Sequence, residues 1–371
     1  MRYCYGECVL PGKIARAFRQ RDSSASAGRQ PPGNAALTAA PAGPYHPEMG
    51  NGKVFVFGSI NTDLFVYVAK LPVPGETVGD GTYASYPGGK GANQAVAAAR
   101  AGASVEMHGC LGDDLFGRER LESLAATGID TRCVRVLPGV SSGVAQITVD
   151  AVGENTFAVA PGANARFSDE GIDLPRPPRG QIWVSLFQNE VPQAATESLI
   201  ARARAAGHVV LWNVAPTLSR PPSPESLRGL DYLICNRNEL AAVTGTSGDP
   251  ETAARLPLAW GVRNVIVTLG GEGSVWVAES ASGDAESASG GAQPRMVRQR
   301  AFTVHSVDTV GAGDCYCGVL AAAIAEGAGV RDALRRASAG AAISTTRRGA
   351  QPAMPMLSEI EDFLSRQGER S

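Results

Sequence analysis

Ile182-Trp183-Val184-Ser185-Leu186, then a helical pattern over 193–206, then His208-Val209-Val210-Leu211-Trp212-Asn213, is the stretch that decides the fold. Each apolar run is short and lacks polar alternation, the pattern of a strand buried on both faces. The rhythm continues with a helix over 224–228, a strand over 231–235, helices over 237–243 and 250–259, and a strand over 263–268. Parallel neighbours need a helix-length crossover, so this alternation predicts a mostly parallel central sheet flanked by helices on both faces, an α/β, Rossmann-like architecture.

Working outward, Val54-Phe55-Val56-Phe57 is another buried strand, and helical patterns cover 92–101 and 117–127. Strand-like segments at 64–68, 77–86 and 143–159, set among Pro and Gly turns, do not keep the β/α rhythm. They predict a small β-sheet, built from about 64–86 and 143–160, placed as a lid over the site. Downstream, strands are expected at 274–278 and 298–306. Between them Ala278-Glu279-Ser280-Ala281-Ser282-Gly283 is followed by Asp284 and a second copy of the same six residues, so 279–296 reads as a low-complexity loop insertion. Residues 53–367 then form one α/β domain with a β appendage.

Residues 1–50 are different material. Residues 22–48 are rich in Ser, Ala, Gly and Pro without periodicity, which predicts disorder. Residues 1–21 carry Arg2, Lys13, Arg16, Arg19 and Arg21 against the single acid Glu7, with too little apolar content for a secretory signal. Met49, just before the first strand, makes an upstream-extended start the favoured account, with an organelle-targeting segment as the alternative.

The 371 residues, 44% of them hydrophobic, supply a large core, and a formal charge of −2 argues against nucleic acid as a partner. No apolar run approaches the ~18 residues of a membrane helix. Seven cysteines, an odd number, lie scattered at 4, 8, 110, 133, 235, 315 and 317, which fits reduced thiols of a cytoplasmic protein better than a disulfide framework. Cys315-Tyr316-Cys317 lacks zinc-knuckle spacing and the four histidines are dispersed, so no structural metal site is expected.

Two glycine motifs carry chemistry. Val307-Asp308-Thr309-Val310-Gly311-Ala312-Gly313-Asp314 opens onto an apolar helix, Cys315 to Glu326, closed by Gly327. Small residues let several free N–H groups converge at a helix N-terminus, an anion site, with Asp314 at its mouth as a candidate general base. An N-capping Asp on a glycine turn explains the octapeptide alone equally well. Pro87-Gly88-Gly89-Lys90-Gly91-Ala92-Asn93-Gln94 runs likewise into an Ala-rich helix. It is neither a Walker loop nor a Gly-x-Gly-x-x-Gly fingerprint; by itself a glycine turn before a helix is the simpler reading.

Taken together and in order, these motifs resemble the ribokinase-like (phosphofructokinase-B) carbohydrate kinases, over essentially Lys53 to Arg366. The resemblance rests on Gly58-Ser59-Ile60-Asn61-Thr62-Asp63, Pro74-Gly75-Glu76-Thr77, Gly88 to Gln94, Gly112-Asp113-Asp114, Gly153-Glu154-Asn155, Asn236-x-x-Glu239, Thr268-Leu269-Gly270, Asp308 to Asp314 and Arg348-Gly349-Ala350-Gln351-Pro352. Within that family the sequence is most like the ribose-phosphorylating members.

The resemblance implies the ribokinase-like fold and ATP-dependent phosphorylation of D-ribose at its 5-hydroxyl. Asp314 would be the base, and the N–H groups of Gly311, Ala312 and Gly313 the anion hole. Asn61, Thr62, Asp63, Gly89, Lys90, Gly91, Ala92, Asn93 and Glu154 would bind the sugar with Asp314. ATP would lie against Asn236, Thr268, Leu269, Gly270, Gly271, Glu272, Gly273, Gly313, Asp314 and Ser338. Mg²⁺ would be held largely through water by Asn236 and Glu239. An activating K⁺ would take Asp308 with backbone oxygens of Val310, Ser344, Arg347, Gly349 and Ala353. Two departures stand out: Ala353 replaces a common Ser, and Ser338 stands where many relatives have Asn. A homodimer through the β lid is also implied. Other readings are a sister kinase of fructose, 2-keto-3-deoxygluconate or a nucleoside, and a catalytically silent sugar-binding protein, against which the intact Asp314 and Gly311–Gly313 argue. Without the resemblance, Glu239 reads as a solvated helix acid, Asp63 as a turn cap and Asn93 as a helix cap.

Overall fold

The computed structural model describes residues 52–368 apart from Asp80, Ser219 and 280–294. The extension expected at 1–50 lies outside the described residues, as does nearly all of the insertion expected at 279–296. In chain order the strands and helices are β1 (Lys53–Phe57), β2 (Asn61–Tyr67), β3 (Thr82–Gly88), α1 (Lys90–Arg100), β4 (Ser104–Gly112), α2 (Leu115–Ala126), β5 (Val134–Leu137), β6 (Gly143–Val149), β7 (Asn155–Ala160) and β8 (Trp183–Phe187). There follow α3 (Gln193–Ala206), β9 (Val209–Asn213), α4 (Pro224–Leu227), β10 (Tyr232–Asn236), α5 (Arg237–Thr244), α6 (Pro250–Ala253), α7 (Arg255–Ala259) and β11 (Asn264–Thr268). The last elements are β12 (Ser274–Ala278), β13 (Arg295–Gln299), α8 (Ala312–Glu326), α9 (Val330–Ser344) and α10 (Leu357–Gly368).

Nine strands form one sheet in the order β13-β12-β11-β10-β9-β8-β1-β4-β5, parallel from β11 to β5 and antiparallel at β11–β12 and β12–β13. The parallel strands read as continuous apolar runs because both faces are covered. Val54, Val56, Leu186, Leu211 and Ile234 pack on the side of α1, α8 and α9, while Phe55, Phe57, Trp212, Leu233 and Val265 pack on the side of α3 and α5. Helix α8 is buried along nearly its whole length, as its apolar circumference requires. The chain leaves β1 toward β4 and later returns to place β8 on the other side of β1, a reversal of winding that opens a crevice at the carboxyl ends of the strands.

A second sheet, in the order β3-β2-β6-β7, is the expected β appendage. Its β2–β6 pair is parallel and the other two pairs antiparallel. Several boundaries differ from the sequence expectation. The strand expected over 77–86 is β3, starting only at Thr82, and 143–159 is a hairpin of β6 and β7 that turns at 150–154. The helix expected over 250–259 breaks at Ala254, because Pro257 has no N–H for the Ala253 carbonyl and sits instead in the first turn of a new helix. The strand expected at 298–306 is β13, which ends at Gln299. The helix expected from Cys315 starts three residues earlier, at Ala312.

Candidate active site

Three neighbouring parallel strands end in a polar residue: Asn213 on β9, Asn236 on β10 and Thr268 on β11. All three line a cavity of about 150 Å³ at the carboxyl end of the sheet. Lys90 and Glu239 line it from the starts of α1 and α5, and Gly311, Gly313 and Asp314 from the start of α8. The fold thus brings together both glycine motifs, some 220 residues apart, and the Asn236–Glu239 pair.

Gly311 caps α8 in the left-handed region (φ 75°), where a β-carbon would come within 2.7 Å of the Ala350 side chain. Asp314 therefore lies in the first turn, not at the cap, which removes the N-capping reading. Its carboxylate is 6% exposed and held by two amide donors of α1: Asn93 Nδ2 donates to Oδ2 at 2.9 Å and Gln94 Nε2 to Oδ1 at 3.0 Å. Asn93 is thereby no helix cap either. Cap and first-turn N–H groups have no helical acceptor. Ala312 N donates at 3.2 Å to Thr309 O, a correction to the expectation of three free donors; Gly311 N and Gly313 N have no backbone acceptor among the described residues.

On the sugar side, the start of α1 crosses the β1–β2 junction at close range. Gly89 (φ 87°) is the N-cap, where a β-carbon would lie 2.7 Å from Asn61 N. Asn61 is buried, its Oδ1 accepting from Asn164 Nδ2 at 2.7 Å. The Thr62 hydroxyl is buried without a partner among the described residues, and Gly91 and Ala92 are packed inside. Asp63, largely buried, titrates abnormally: burial first, then the charges of Glu190 and Asp314, push its pKa up to about 7. Lys90 does the opposite of what burial favours. Asp314 opposite it, followed by Glu190 and Glu239, keeps the ammonium charged. The Lys90 backbone N–H donates to Glu190 Oε2 at 3.0 Å, an oxygen that also accepts from Ser59 Oγ at 2.5 Å.

Asn236 and Glu239 form a capping box. Glu239 N donates to Asn236 Oδ1 at 2.9 Å and Asn236 N to Glu239 Oε2 at 2.8 Å. Glu239 is 8% exposed, which corrects the solvated-acid alternative, and burial raises its pKa against the Asn236 N–H and Lys90. Beyond Thr268, Leu269 turns inward, Gly270–Glu272 is a single 3-10 turn, and Glu272 pairs with Arg237. Gly273 is needed for a close approach, since a β-carbon there would lie 2.0 Å from Gln299 O.

Asp308 joins two loops: its Oδ1 accepts from Val310 N at 3.0 Å and its Oδ2 from Gly349 N at 2.9 Å. Ser344 is the last residue of α9 and its carbonyl accepts from Arg347 N at 3.2 Å in the turn that follows, while Ala353 closes the 3-10 turn Gln351–Ala353. Of the expected residues, Lys90, Asn236, Glu239, Thr268, Gly311, Gly313 and Asp314 line the cavity, and Glu154 and Ser338 are among those that do not. Glu154 is exposed in the β6–β7 turn, not on a lid strand, and its N–H donates to Asp150 Oδ1. Ser338 is buried in α9 and is not a lining residue; its hydroxyl has no partner among the described residues.

The sequence reading misses Gln94, Gln188, Asn213 and Glu190. Gln94 accepts from Gln188 Nε2 at 2.7 Å and donates to Asn213 Oδ1 at 3.0 Å as well as to Asp314. The available signal was positional: Gln188 and Glu190 follow directly on β8, and Asn213 ends β9, where open α/β sheets bind ligands.

Comparison with known proteins identifies relatives of the whole domain. Residues 51–357 match the pfkB family carbohydrate kinase description. The chain is 35% identical over 323 residues to a ribokinase of Schizosaccharomyces pombe, covering 83% of this chain and 96% of that one. It is 34% identical over 316 residues to a deoxyribokinase of Salmonella typhi, covering 84% and 98%. Among solved structures, a Thermotoga maritima ribokinase superposes with a TM-score of 0.74 at 33% identity, covering 85% and 99%. An Arabidopsis thaliana ribokinase complexed with ribose and ATP gives 0.72 at 27%, covering 84% and 98%.

Proposed function

The chain belongs to the pfkB family of carbohydrate kinases, and we propose that it transfers the γ-phosphoryl group of ATP to the 5-hydroxyl of D-ribose, giving D-ribose 5-phosphate and ADP. The observation that carries this reading is Asp314, held between the Asn93 and Gln94 amides in the first turn of α8, beside a cavity that Lys90 also lines. Asp314 takes the hydroxyl proton as O5 attacks the γ-phosphorus, and the bond to the bridging oxygen of ADP breaks. Lys90 and the N–H groups of Gly311 and Gly313 stabilise the charge spread over the phosphoryl oxygens.

Two cations fit the residues present. Glu239 is a buried carboxylate on the cavity wall, fixed by the capping box, and with Asn236 it suits a cation that keeps most of its waters. Mg²⁺ held there would neutralise charge on the phosphates. Among the described residues Asp308 accepts one N–H on each oxygen and so retains lone pairs for a K⁺, together with backbone oxygens of Val310, Ser344, Arg347, Gly349 and Ala353. Such a cation would fix the loop leading into Gly311. Ribose would sit against Asn61, Asp63 and the start of α1, and the nucleotide against Thr268 and the turn to Gly273. A homodimer through the appendage is supported by β7, an edge strand exposed throughout and carrying Phe157 and Val159.

One second substrate has a specific observation behind it. The 34% identity to a deoxyribokinase supports 2-deoxy-D-ribose, which differs only at C2. Initial rates of ADP release with D-ribose, 2-deoxy-D-ribose, D-fructose, 2-keto-3-deoxygluconate and adenosine, each in K⁺ or Na⁺, test the reading. Selective, K⁺-stimulated turnover of ribose supports it. Preference for any other acceptor overturns the substrate, and absence of turnover on all of them leaves a binding protein.

A further inference from the structure

Away from the cavity, at the β5 edge of the main sheet, lie Glu106, His108 and Cys133. They come from two places in the chain: Glu106 and His108 alternate on one face of β4, and Cys133 precedes β5, which pairs with the end of β4. His108 Nε2 lies 2.8 Å from Glu106 Oε1, Cys133 Sγ lies 3.5 Å from the same oxygen, and the three ligand atoms fall within 4.8 Å of one another. From this convergence we propose that Glu106, His108 and Cys133 form a binding site for one zinc-class divalent cation, distinct from the cations of phosphoryl transfer.

Zinc bonds of about 2.0–2.3 Å at tetrahedral angles put ligand atoms about 3.3–3.7 Å apart. The Glu106–Cys133 separation already meets this, and the Glu106–His108 separation opens by about 0.5 Å when the ion replaces the proton between them. The ligands are oriented by their surroundings. The His108 ring is stacked on Phe57 with centroids 4.5 Å apart, and the other oxygen of Glu106 is held by Lys53 Nζ at 2.6 Å, leaving Oε1 for the ion. Lys53 is itself anchored over the Phe55 ring at 4.5 Å. Asp130, whose charge also acts on Cys133, is turned to Arg132 and supplies no fourth ligand. Cys133 is exposed, which gives an entry path and leaves the fourth position to water. One oxygen, one imidazole and one thiolate suit zinc better than Mg²⁺ or K⁺; binding sends the thiol proton to solvent and leaves His108 as the neutral tautomer with its proton on Nδ1, any excess proton also passing to solvent. Such an ion ties the β4 face to the turn before the edge strand. The sequence, with its dispersed His and Cys, expected no such site; the β4–β5 pairing creates it.

The test uses the full chain, stripped with a chelator, equilibrated with zinc chloride and desalted. Bound zinc is counted by mass spectrometry, and cobalt(II) is substituted to read the thiolate-to-metal charge-transfer absorption. Wild type should hold one equivalent and show that band. Cys133→Ser, at an exposed position, should lose both while keeping the wild-type melting profile of the metal-free protein, and Glu106→Gln should lose the equivalent. Zinc should also protect Cys133 from alkylation, read by peptide mapping. Failure of wild type to retain zinc, equal retention by Cys133→Ser, or unprotected alkylation of Cys133 each overturns the assignment. Kinase activity is not the readout, so these outcomes stand apart from the fate of the proposed reaction.

Discussion

Replacing Asp63 by Asn removes an ionisation while keeping the shape of the side chain, and two measurable effects follow. The free protein holds this carboxyl with a pKa of about 7 against an ordinary 3.8, through burial first and then the charges of Glu190 and Asp314. The folded state therefore binds a proton that the unfolded state releases, so this group's contribution to stability is fully present below pH 3.8 and is lost as pH rises toward 7. At about 1.4 kcal/mol per unit, the rise corresponds to roughly 4 kcal/mol of stability withheld above neutrality. Asp63→Asn should recover part of that above pH 7, measured as a higher denaturation midpoint at pH 8, with a smaller gain at about pH 5 and little change only below pH 3.8.

The same ionisation governs sugar capture if the carboxylate accepts the hydroxyl hydrogens. The pH profile of kcat/KM reports the free protein's groups, so for ribose it should rise with pH through an inflection near 7, falling about tenfold per unit below it. In Asp63→Asn that inflection should vanish and kcat/KM should fall, since an amide accepts on one atom only. Steady-state rates over about pH 5 to 9 decide the matter. A wild-type profile flat across neutrality, or an inflection near 7 that survives in Asp63→Asn, refutes the reasoning, because the titration would then belong elsewhere.

Asp314→Ala should lower kcat by about 10²–10⁴-fold while ribose affinity, measured by calorimetry, changes little. Gln94→Leu removes one donor to the base and strands Gln188 Nε2 and Asn213 Oδ1; a bond to a charged group contributes about 1.5–3 kcal/mol, so kcat should fall about 10–150-fold, with thermal denaturation checking that the fold persists. Glu239→Gln should raise the Mg²⁺ concentration giving half-maximal rate, whereas a purely structural capping role would move only the melting temperature, by the equivalent of about 0.5–2 kcal/mol.

The parallel sheet is legible because its strands are covered on both faces. The segments expected at 182–186, 208–213 and 263–268 fall within a residue of β8, β9 and β11, and the helix expected over 193–206 coincides with α3. Strand β4 escapes the same criterion because Glu106, His108 and Gly109 interrupt its apolar run, and α9 escapes although Val330, Ala333, Leu334 and Ala337 recur at helical spacing, because most of its buried positions are small Ala, Ser and Gly rather than large apolar residues. Both glycine motifs announce themselves locally, since turns and helix starts are local chemistry. What orients Asp314 does not: Gln94 reaches it across 220 residues of sequence, and Gln188 and Asn213 reach Gln94 only through the sheet order. The pKa of Asp63 is likewise a property of burial and of Glu190, neither of which a strand residue reveals in sequence.

The charge balance of the cavity carries a last consequence. Asp314 and Glu239 line it against Lys90 alone, with Asp63 and Glu190 close enough to act on the same groups. The start of α8 adds only about half a positive charge. A nucleoside triphosphate brings several more negative charges into this surplus, so its affinity should depend on divalent cation even where no turnover occurs. In Asp314→Ala, which removes one of the repelling carboxylates and the chemistry together, ATP binding without divalent cation should be stronger than in wild type. Calorimetric titration of ATP into both proteins, with EDTA or with Mg²⁺, measures this directly. Equal ATP affinity of the two proteins in EDTA would show that Asp314 does not face the phosphates, and the base would have to be sought elsewhere in the cavity.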